Sequence, residues 1–429
     1  MKRSKRAALL SILFMGLGQL YNREIAKGIL FAIVNIIVLI NIPYFRYAYW
    51  GLITLGEQPL HYVNGIAEGD HSIFLLIQGI IAVLVTLLII LIYVLNIIDA
   101  FKTGEAIEQG EKPMGTVKFV RYVSHKYFPY LSLSPAFVLI LFFTLLPILF
   151  TISIAFTNYS APNHLPPRNL VDWVGVTNFK NLLNLKIWKN TFIGVGIWTI
   201  IWALLASLTS YFGGLLLALL VNSGDVQLKK FWRTIYILPY AIPGFISILT
   251  MRLMFTGLGP VNNFLVKLGF ERMPWLTNPT MAKVVLILVN IWLGAPYFMA
   301  LMSGTLTNIP GDLYEAADID GATPYQKFRK ITLPLVLHAT MPLLILSFTH
   351  NFNNFTMIYL LTSGGPANPA YRYAGHTDIL ISWIYKLTLE QNQYNMAAVI
   401  SIIMFIVVAT ISAFTFSRTK SFREEDLIQ

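Results

Sequence analysis

Residues 310–334 read PGDLYEAADIDGATPYQKFRKITLP, from Pro310 to Pro334, a polar segment set between two apolar runs. Its first half, Gly311 to Asp320, has the chemistry of a short helix. Asp312 and Glu315 lie near the start, where carboxylates suit the positive end of the helix dipole, and Ala316 and Ala317 are strong helix formers. Gly321 then stops it as a left-handed cap. The chain restarts with Thr323 as N-cap, Pro324 at the first helical position and Gln326 placed to close a capping box. The expected result is helix, glycine bend, helix.

Glu315-Ala316-Ala317, then Asp320-Gly321-Ala322, Phe328, Ile331 and Leu333-Pro334 stand at the spacing of an EAA loop, and in this the chain resembles the membrane subunits of bacterial ABC importers. The resemblance implies that the first short helix docks in a cleft of a separate ATPase subunit, with Glu315, Ala316, Ala317, Asp320, Gly321 and Ala322 as the coupling residues. On physical grounds alone, a two-helix elbow with small residues at its bend can be gripped as a rigid lever. Glu315 offers a carboxylate to a basic surface. The plainer reading is an ordinary capped loop.

The chain has 429 residues, is 56% hydrophobic and only 12% charged, with its apolar residues gathered in long blocks, which is the signature of an all-α integral membrane protein. It contains no cysteine, so disulfides and thiol chemistry are excluded. The net charge of +11 suggests nucleic acid until it is mapped. Much of it falls in short segments between apolar runs, where positive-inside orientation explains it without a nucleic-acid partner.

The start, MKRSKR before Ala7 to Leu20, looks like a secretory leader, but Gln19, Tyr21, Asn22 and Arg23 follow rather than a small-residue cleavage site. An uncleaved interfacial or re-entrant segment is expected instead. Gly28 to Ile42 and Ile73 to Ile98 are the first two expected spans, with an outside loop, Pro43 to Ser72, between them. Phe101 to Tyr130 reads as a polar cytoplasmic linker carrying Lys102, Lys112, Lys118, Arg121 and Lys126. Six further spans follow: Pro135 to Thr157, Phe192 to Val221, Trp232 to Phe255, Met281 to Thr305, Leu335 to Leu361 and Tyr394 to Phe416. This divides the chain into a membrane extension (1–100), a linker (101–130) and a permease core (131–429).

Counting crossings from a cytoplasmic start puts Lys229 and Lys230, the elbow, and the tail with Arg418, Lys420 and Arg423 inside. The loop Asn158 to Thr191, with Arg168, Lys180, Lys186 and Lys189, falls outside against the charge rule, which longer loops obey less strictly. Eight spans with a two-span extension resemble the MalF-type subunits of maltose and maltodextrin importers. Members from Gram-negative bacteria often carry a large domain in an outer loop. The short outer loops here point to a Gram-positive bacterial cell membrane.

Polar side chains inside membrane spans are costly and need partners. Ser347, His350, Asn351 and Asn354 recur at i, i+3, i+4 and i+7 and so line one helical face. Asn290, Leu293, Gly294 and Tyr297 repeat the device on the preceding span, and Tyr236, Tyr240 and Gly244 step by four on the one before. The stripes hold amides, hydroxyls and rings but no Asp, Glu, Lys or Arg, which suits a neutral sugar better than an ion or a phosphate. The MalF-type resemblance implies the same, since Tyr240, Asn290, Leu293, Gly294, Tyr297, Ser347, Asn351 and Asn354 match positions lining the family's sugar site. Gly244 and His350 replace the serine and phenylalanine of the best-known members. Each asparagine could equally glue helices together, and His350 is expected to be a satisfied imidazole. Pro239, Pro243, Pro296 and Pro342 interrupt the same region, with no hinge assigned to any of them.

Asp318-Ile319-Asp320 mimics the DxD of metal-dependent glycosyltransferases, but the elbow already accounts for it. Thr362-Ser363-Gly364-Gly365-Pro366 superficially suggests an ATPase signature and reads better as an outside turn. No G-x-x-x-x-G-K-[ST] phosphate cradle occurs, so ATP and Mg are expected on another subunit and no cofactor on this chain. By resemblance the partners are a second, MalG-like permease, two copies of an ABC ATPase, an extracellular sugar-binding protein and an oligosaccharide. The expected function is a pore-forming, non-enzymatic subunit of a carbohydrate ABC importer, for maltodextrins or else galacto-oligosaccharides. An ion-coupled secondary sugar transporter is the rival, and would ordinarily place ionisable groups at mid-membrane.

Overall fold

The computed structural model describes residues 2–64, 66–113, 115, 124–165, 169–223 and 226–417. Lys118, Arg121, Arg168, Arg418, Lys420 and Arg423 lie outside them. The chain divides into two compact units, Met1–Gly175 and Val176–Gln429.

The first unit begins with α1 (Arg3–Leu13) and α2 (Leu17–Tyr21), followed by α3 (Ile25–Ile40) and α4 (Ile42–Thr54), which meet at 53°. The expected loop after Ile42 is thus helical at first. Pro43 sits in the first turn of α4, where its missing N–H costs nothing, so it starts a helix rather than ending one. A small antiparallel hairpin, His61–Val63 with Ile66–Glu68, occupies the remainder. The next helix, α5 (Ser72–Glu108), has 37 residues and a length of about 55 Å, well beyond the ~30 Å hydrocarbon layer. It absorbs the first turns of the expected linker. The unit's last helix, α6 (Phe128–Ala155), passes through a π-helical turn at Leu141–Leu145.

The second unit comprises α7 (Thr177–Asn184), α8 (Lys186–Asn222), α9 (Lys229–Ala241), α10 (Gly244–Met254), α11 (Pro260–Lys267), α12 (Pro279–Thr307), α13 (Asp312–Ile319), α14 (Pro324–Phe352), α15 (Phe355–Thr362), α16 (Leu380–Tyr385) and α17 (Tyr394–Ser417). Among the described residues six helices are long and apolar enough to cross a membrane, and up to eight spans result if each bent pair counts as one.

Two expected single spans are broken. The first breaks at Ile242-Pro243, where α9 and α10 meet at 90°. Ile242 is extended, as a residue before proline prefers, and α9 has no buried residue to hold a continuous rod. The second breaks at Asn353-Asn354, because the Asn354 carboxamide oxygen accepts from the Met357 N–H at 3.1 Å and caps a new helix. Pro296 and Pro342 remain inside their helices.

The core of this unit is the α8–α12 crossing. Trp202, Ala206, Val285, Leu286 and Val289 form one apolar cluster; Tyr211, Leu215, Phe298, Met299 and Met302 form the next. Gly214 permits the approach, since a Cβ there would lie 2.3 Å from the Phe298 Cβ and 2.8 Å from the Ala295 carbonyl oxygen. Gly214→Val should therefore destabilise the chain by about 1–3 kcal/mol through overpacking. Thermal unfolding of the purified protein reads this, and an unchanged midpoint would contradict the close packing.

Candidate functional site: a cavity without fixed charge and an exposed elbow

A cavity of about 500 Å³ opens among α9, α10, α12, α14 and α15, with Ser210 of α8 in its wall. Every residue expected in the sugar site lines it: Tyr240, Gly244, Asn290, Leu293, Gly294, Tyr297, Ser347, His350, Asn351 and Asn354. Phe245, Phe298, Leu343, Leu346 and Thr356 complete much of the apolar and hydroxylic wall. No Asp, Glu, Lys or Arg is among the lining residues.

The lining residues differ in what they leave free. The Asn290 amide donates to the Ala206 carbonyl and to Ser210 Oγ, each at 3.0 Å, so it ties α12 to α8. The Asn351 amide donates to Ser207 Oγ at 3.0 Å, while its backbone carbonyl accepts from the Trp202 indole at the same distance. Asn354 is a helix cap. The asparagines thus hold the cavity's shape.

Tyr240 and Tyr297 are 59% and 39% exposed, with ring centroids 5.9 Å apart and planes at 31°. They place two adjacent aromatic rings in the cavity wall. His350 is exposed at the end of α14 and has no side-chain hydrogen bond among the described residues, contrary to the satisfied imidazole expected. Together with Ser347 and Thr356 it provides hydrogen-bonding groups beside apolar rings, a combination that recognises polyhydroxylated molecules.

Thr356 and Ser210 are absent from the sequence-derived stripes. Thr356 lies on the restarted helix α15, so a continuous helical wheel misplaces it, whereas Ser210 lies on α8, which carries none of those stripes. The signal for Ser210 was a polar run, Ser207 to Ser210, inside an apolar span.

The elbow forms as the residues dictate. Glu315, Ala316 and Ala317 lie on α13, and Gly321 follows at φ +72°, a left-handed conformation that suits glycine. The Thr323 N–H donates to Gln326 Oε1 at 2.7 Å and the Gln326 N–H to Thr323 Oγ1 at 3.3 Å, completing the capping box. Asp318 pairs with Lys327 at 2.6 Å, and Tyr314 and Thr332 hydroxyls meet at 2.8 Å, bracing the two arms. Outward stand Glu315, Ala316, Leu313, Ile319 and Tyr325, the last two 88% and 67% exposed. Such an apolar tip beside a carboxylate suits insertion into a protein cleft.

Residues 210–419 match the family described as binding-protein-dependent transport system inner membrane component. The galactooligosaccharides transport system permease protein GanP of Bacillus subtilis (strain 168) is 41% identical over 98% of this chain and 99% of its own length. The maltodextrin transport system permease protein MdxF of the same organism is 39% identical over 100% and 98%. Among solved structures, a bacterial alginate ABC transporter in complex with an alginate pentasaccharide-bound periplasmic protein has a chain with a TM-score of 0.55 and 25% identity, covering 70% of this chain and 96% of that one. Spans, elbow and near full-length relatives agree: the chain belongs to the binding-protein-dependent transport system inner membrane components, the permease subunits of ABC importers.

Proposed function

We propose that this chain forms one half of the passage of an ATP-driven importer of neutral oligosaccharides, of the maltodextrin or galacto-oligosaccharide class. The observation that carries the reading is the cavity lining, rich in rings, hydroxyls and amides and devoid of fixed charge. An acidic cargo would call for cations in that wall. The near full-length relatives, by their names, move galacto-oligosaccharides and maltodextrins.

A second, homologous permease completes the passage, and an extracellular binding protein delivers the sugar. Two ATPase subunits hold ATP and Mg, so the chain itself carries no cofactor and performs no hydrolysis. Both termini and the elbow face the cytoplasm of a Gram-positive cell, as the distribution of Lys and Arg between spans supports. Closure of the ATPases moves α13, and the bend at Gly321 passes that motion to α14, on which Ser347, His350 and Asn351 sit. The sugar site biases the states only by differential affinity, and direction comes from the nucleotide cycle.

The test is ATPase stimulation in the reconstituted complex by binding protein loaded with maltodextrins, galacto-oligosaccharides or alginate oligomers. Stimulation by one of the neutral classes and not by alginate is expected; the reverse pattern would overturn the substrate class. His350→Leu should raise the half-saturating concentration of loaded binding protein about 2- to 10-fold, the worth of one hydrogen bond. Tyr297→Ala should do the same by a similar factor through lost ring contact. Asn351→Leu is a less clean probe, because it also removes the amide that ties α14 to Ser207 of α8. An unchanged sugar response in both His350→Leu and Tyr297→Ala would remove this wall from the cargo's path.

A further inference from the structure

The N-terminal helices α1 and α2 belong to the first unit, whereas the cavity and the elbow belong to the second. Their packing is unusually well specified for a chain terminus. Ser4, Ala7 and Ser11 are buried on one side of α1. The Ser4 N–H donates to Glu108 Oε1 at 2.8 Å, the Tyr93 hydroxyl donates to the Ile12 carbonyl at 2.6 Å, and the Asn96 amide reaches the Ser11 carbonyl at 3.3 Å. Gln19 and Asn22 of the following turn donate to the Asn96 and Ala100 carbonyls, each at 2.9 Å. Both helices are thereby pinned along the last turns of α5.

The outward side of α1 is graded. Lys2, Lys5, Arg6, Leu9, Ile12 and Leu13 recur at helical spacing and are exposed, so they share one face. The cations occupy its first turns, and Leu9, Ile12 and Leu13, exposed by 50%, 50% and 78%, occupy its last. The gradient reverses across α2, from exposed Leu17 and Leu20 back to exposed Arg23. Arg3 closes the pair, donating from Nε to Asn22 Oδ1 at 3.2 Å and from Nη2 to the Tyr21 carbonyl at 3.0 Å. The result is a wedge with an apolar tip near Leu13 to Leu17 and a cationic rim. Lys102 of α5 adds to the exposed cations at that end of the helix.

We infer that this wedge is a docking surface for an anionic bilayer, with its tip among the acyl chains and Lys5, Arg6 and Arg23 on lipid phosphates. The gradient carries the inference. An 11-residue helix spans about 16 Å, comparable to the depth from headgroups into the upper hydrocarbon, and its face changes from charged to apolar along that length. Lys5, Arg6, Arg23 and Lys102 make no ion pair with a carboxylate among the described residues. A protein partner would require no such polarity along the axis, whereas a membrane interface imposes it.

The purified full-length chain in detergent is exposed to an equimolar mixture of phosphatidylglycerol and phosphatidylcholine, and native mass spectrometry reads the ratio retained. The wild type is expected to favour phosphatidylglycerol. Lys5→Gln/Arg6→Gln should cut that preference on the order of 25-fold, at about 5-fold per charge. Both side chains are exposed, so folding is spared, and Arg23→Gln on the other rim should act in the same direction. Equal retention of the two lipids by the wild type would overturn the inference. So would an unchanged ratio in the variants, including the case in which they lose only the co-purifying ATPase subunit.

Discussion

Gly321→Pro is expected to leave the chain inserted in the membrane and to reduce sugar uptake to background. Gly321 holds φ at +72°, and proline fixes φ near −65°, so the bend between α13 and α14 cannot form as built. The bend is exposed, and a Cβ at Gly321 would meet nothing within 4 Å, so the effect falls on the angle between the arms rather than on packing. Gly321→Asn separates these causes, because asparagine tolerates the left-handed region, and it should keep substantial uptake. Glu315→Lys should fail like proline by reversing the charge offered to the ATPase. Uptake of labelled sugar, normalised to membrane-inserted protein, measures all of these. Wild-type uptake by Gly321→Pro would show that the elbow does not transmit motion.

The second large effect lies in the segment between α15 and α16. Asp378 is 1% exposed and accepts from the Gly375 N–H at 2.7 Å, Ser382 Oγ at 2.8 Å and Lys386 Nζ at 2.6 Å. The same segment is tied to α8, where Trp198 donates to the Thr377 carbonyl and Thr199 Oγ1 accepts from the Leu380 N–H. Asp378→Ala strands a Lys386 side chain that is only 14% exposed, and should cost about 3–5 kcal/mol. The double variant Asp378→Ala/Lys386→Met should recover part of that loss, since the unpaired charge is then gone. Thermal unfolding of the purified chain reads both. Equal stability of the single variant and the wild type would mean the pair contributes nothing.

Much of this fold is legible in the amino-acid sequence. Each apolar block became a helix or a bent helix pair because blocks of that length have few other ways to satisfy their backbone in a bilayer. The elbow was readable to the residue, since Gly321 and Pro324 act through local backbone conformation and Thr323 and Gln326 through local hydrogen bonds. The breaks were not. Pro243 ends a helix and Pro296 does not, and the difference lies in what surrounds them: α12 is packed on α8 and α9 is nearly bare.

The ten expected residues all line the cavity, but Ser210 and Thr356 were not legible, nor was the division of labour. Helical spacing gathered Asn290 and Asn351 correctly, yet their amides turn to Ser210 and Ser207 on a helix remote in sequence, which no local pattern reveals. His350 was expected to be satisfied, yet it makes no side-chain hydrogen bond among the described residues, where α14 ends just beyond it.

The central claim is that an outside ATPase works this passage through the elbow, and cross-linking tests it most directly. The chain has no cysteine, so Ala316→Cys places a single thiol on the exposed face of α13. Paired with a cysteine in the ATPase cleft of the assembled complex, it should form a disulfide when isolated membranes are treated with a copper–phenanthroline oxidant, and a membrane-impermeant thiol reagent added to intact cells should leave it unlabelled. A thiol that such a reagent labels in intact cells, and that never joins the ATPase, would contradict the claim.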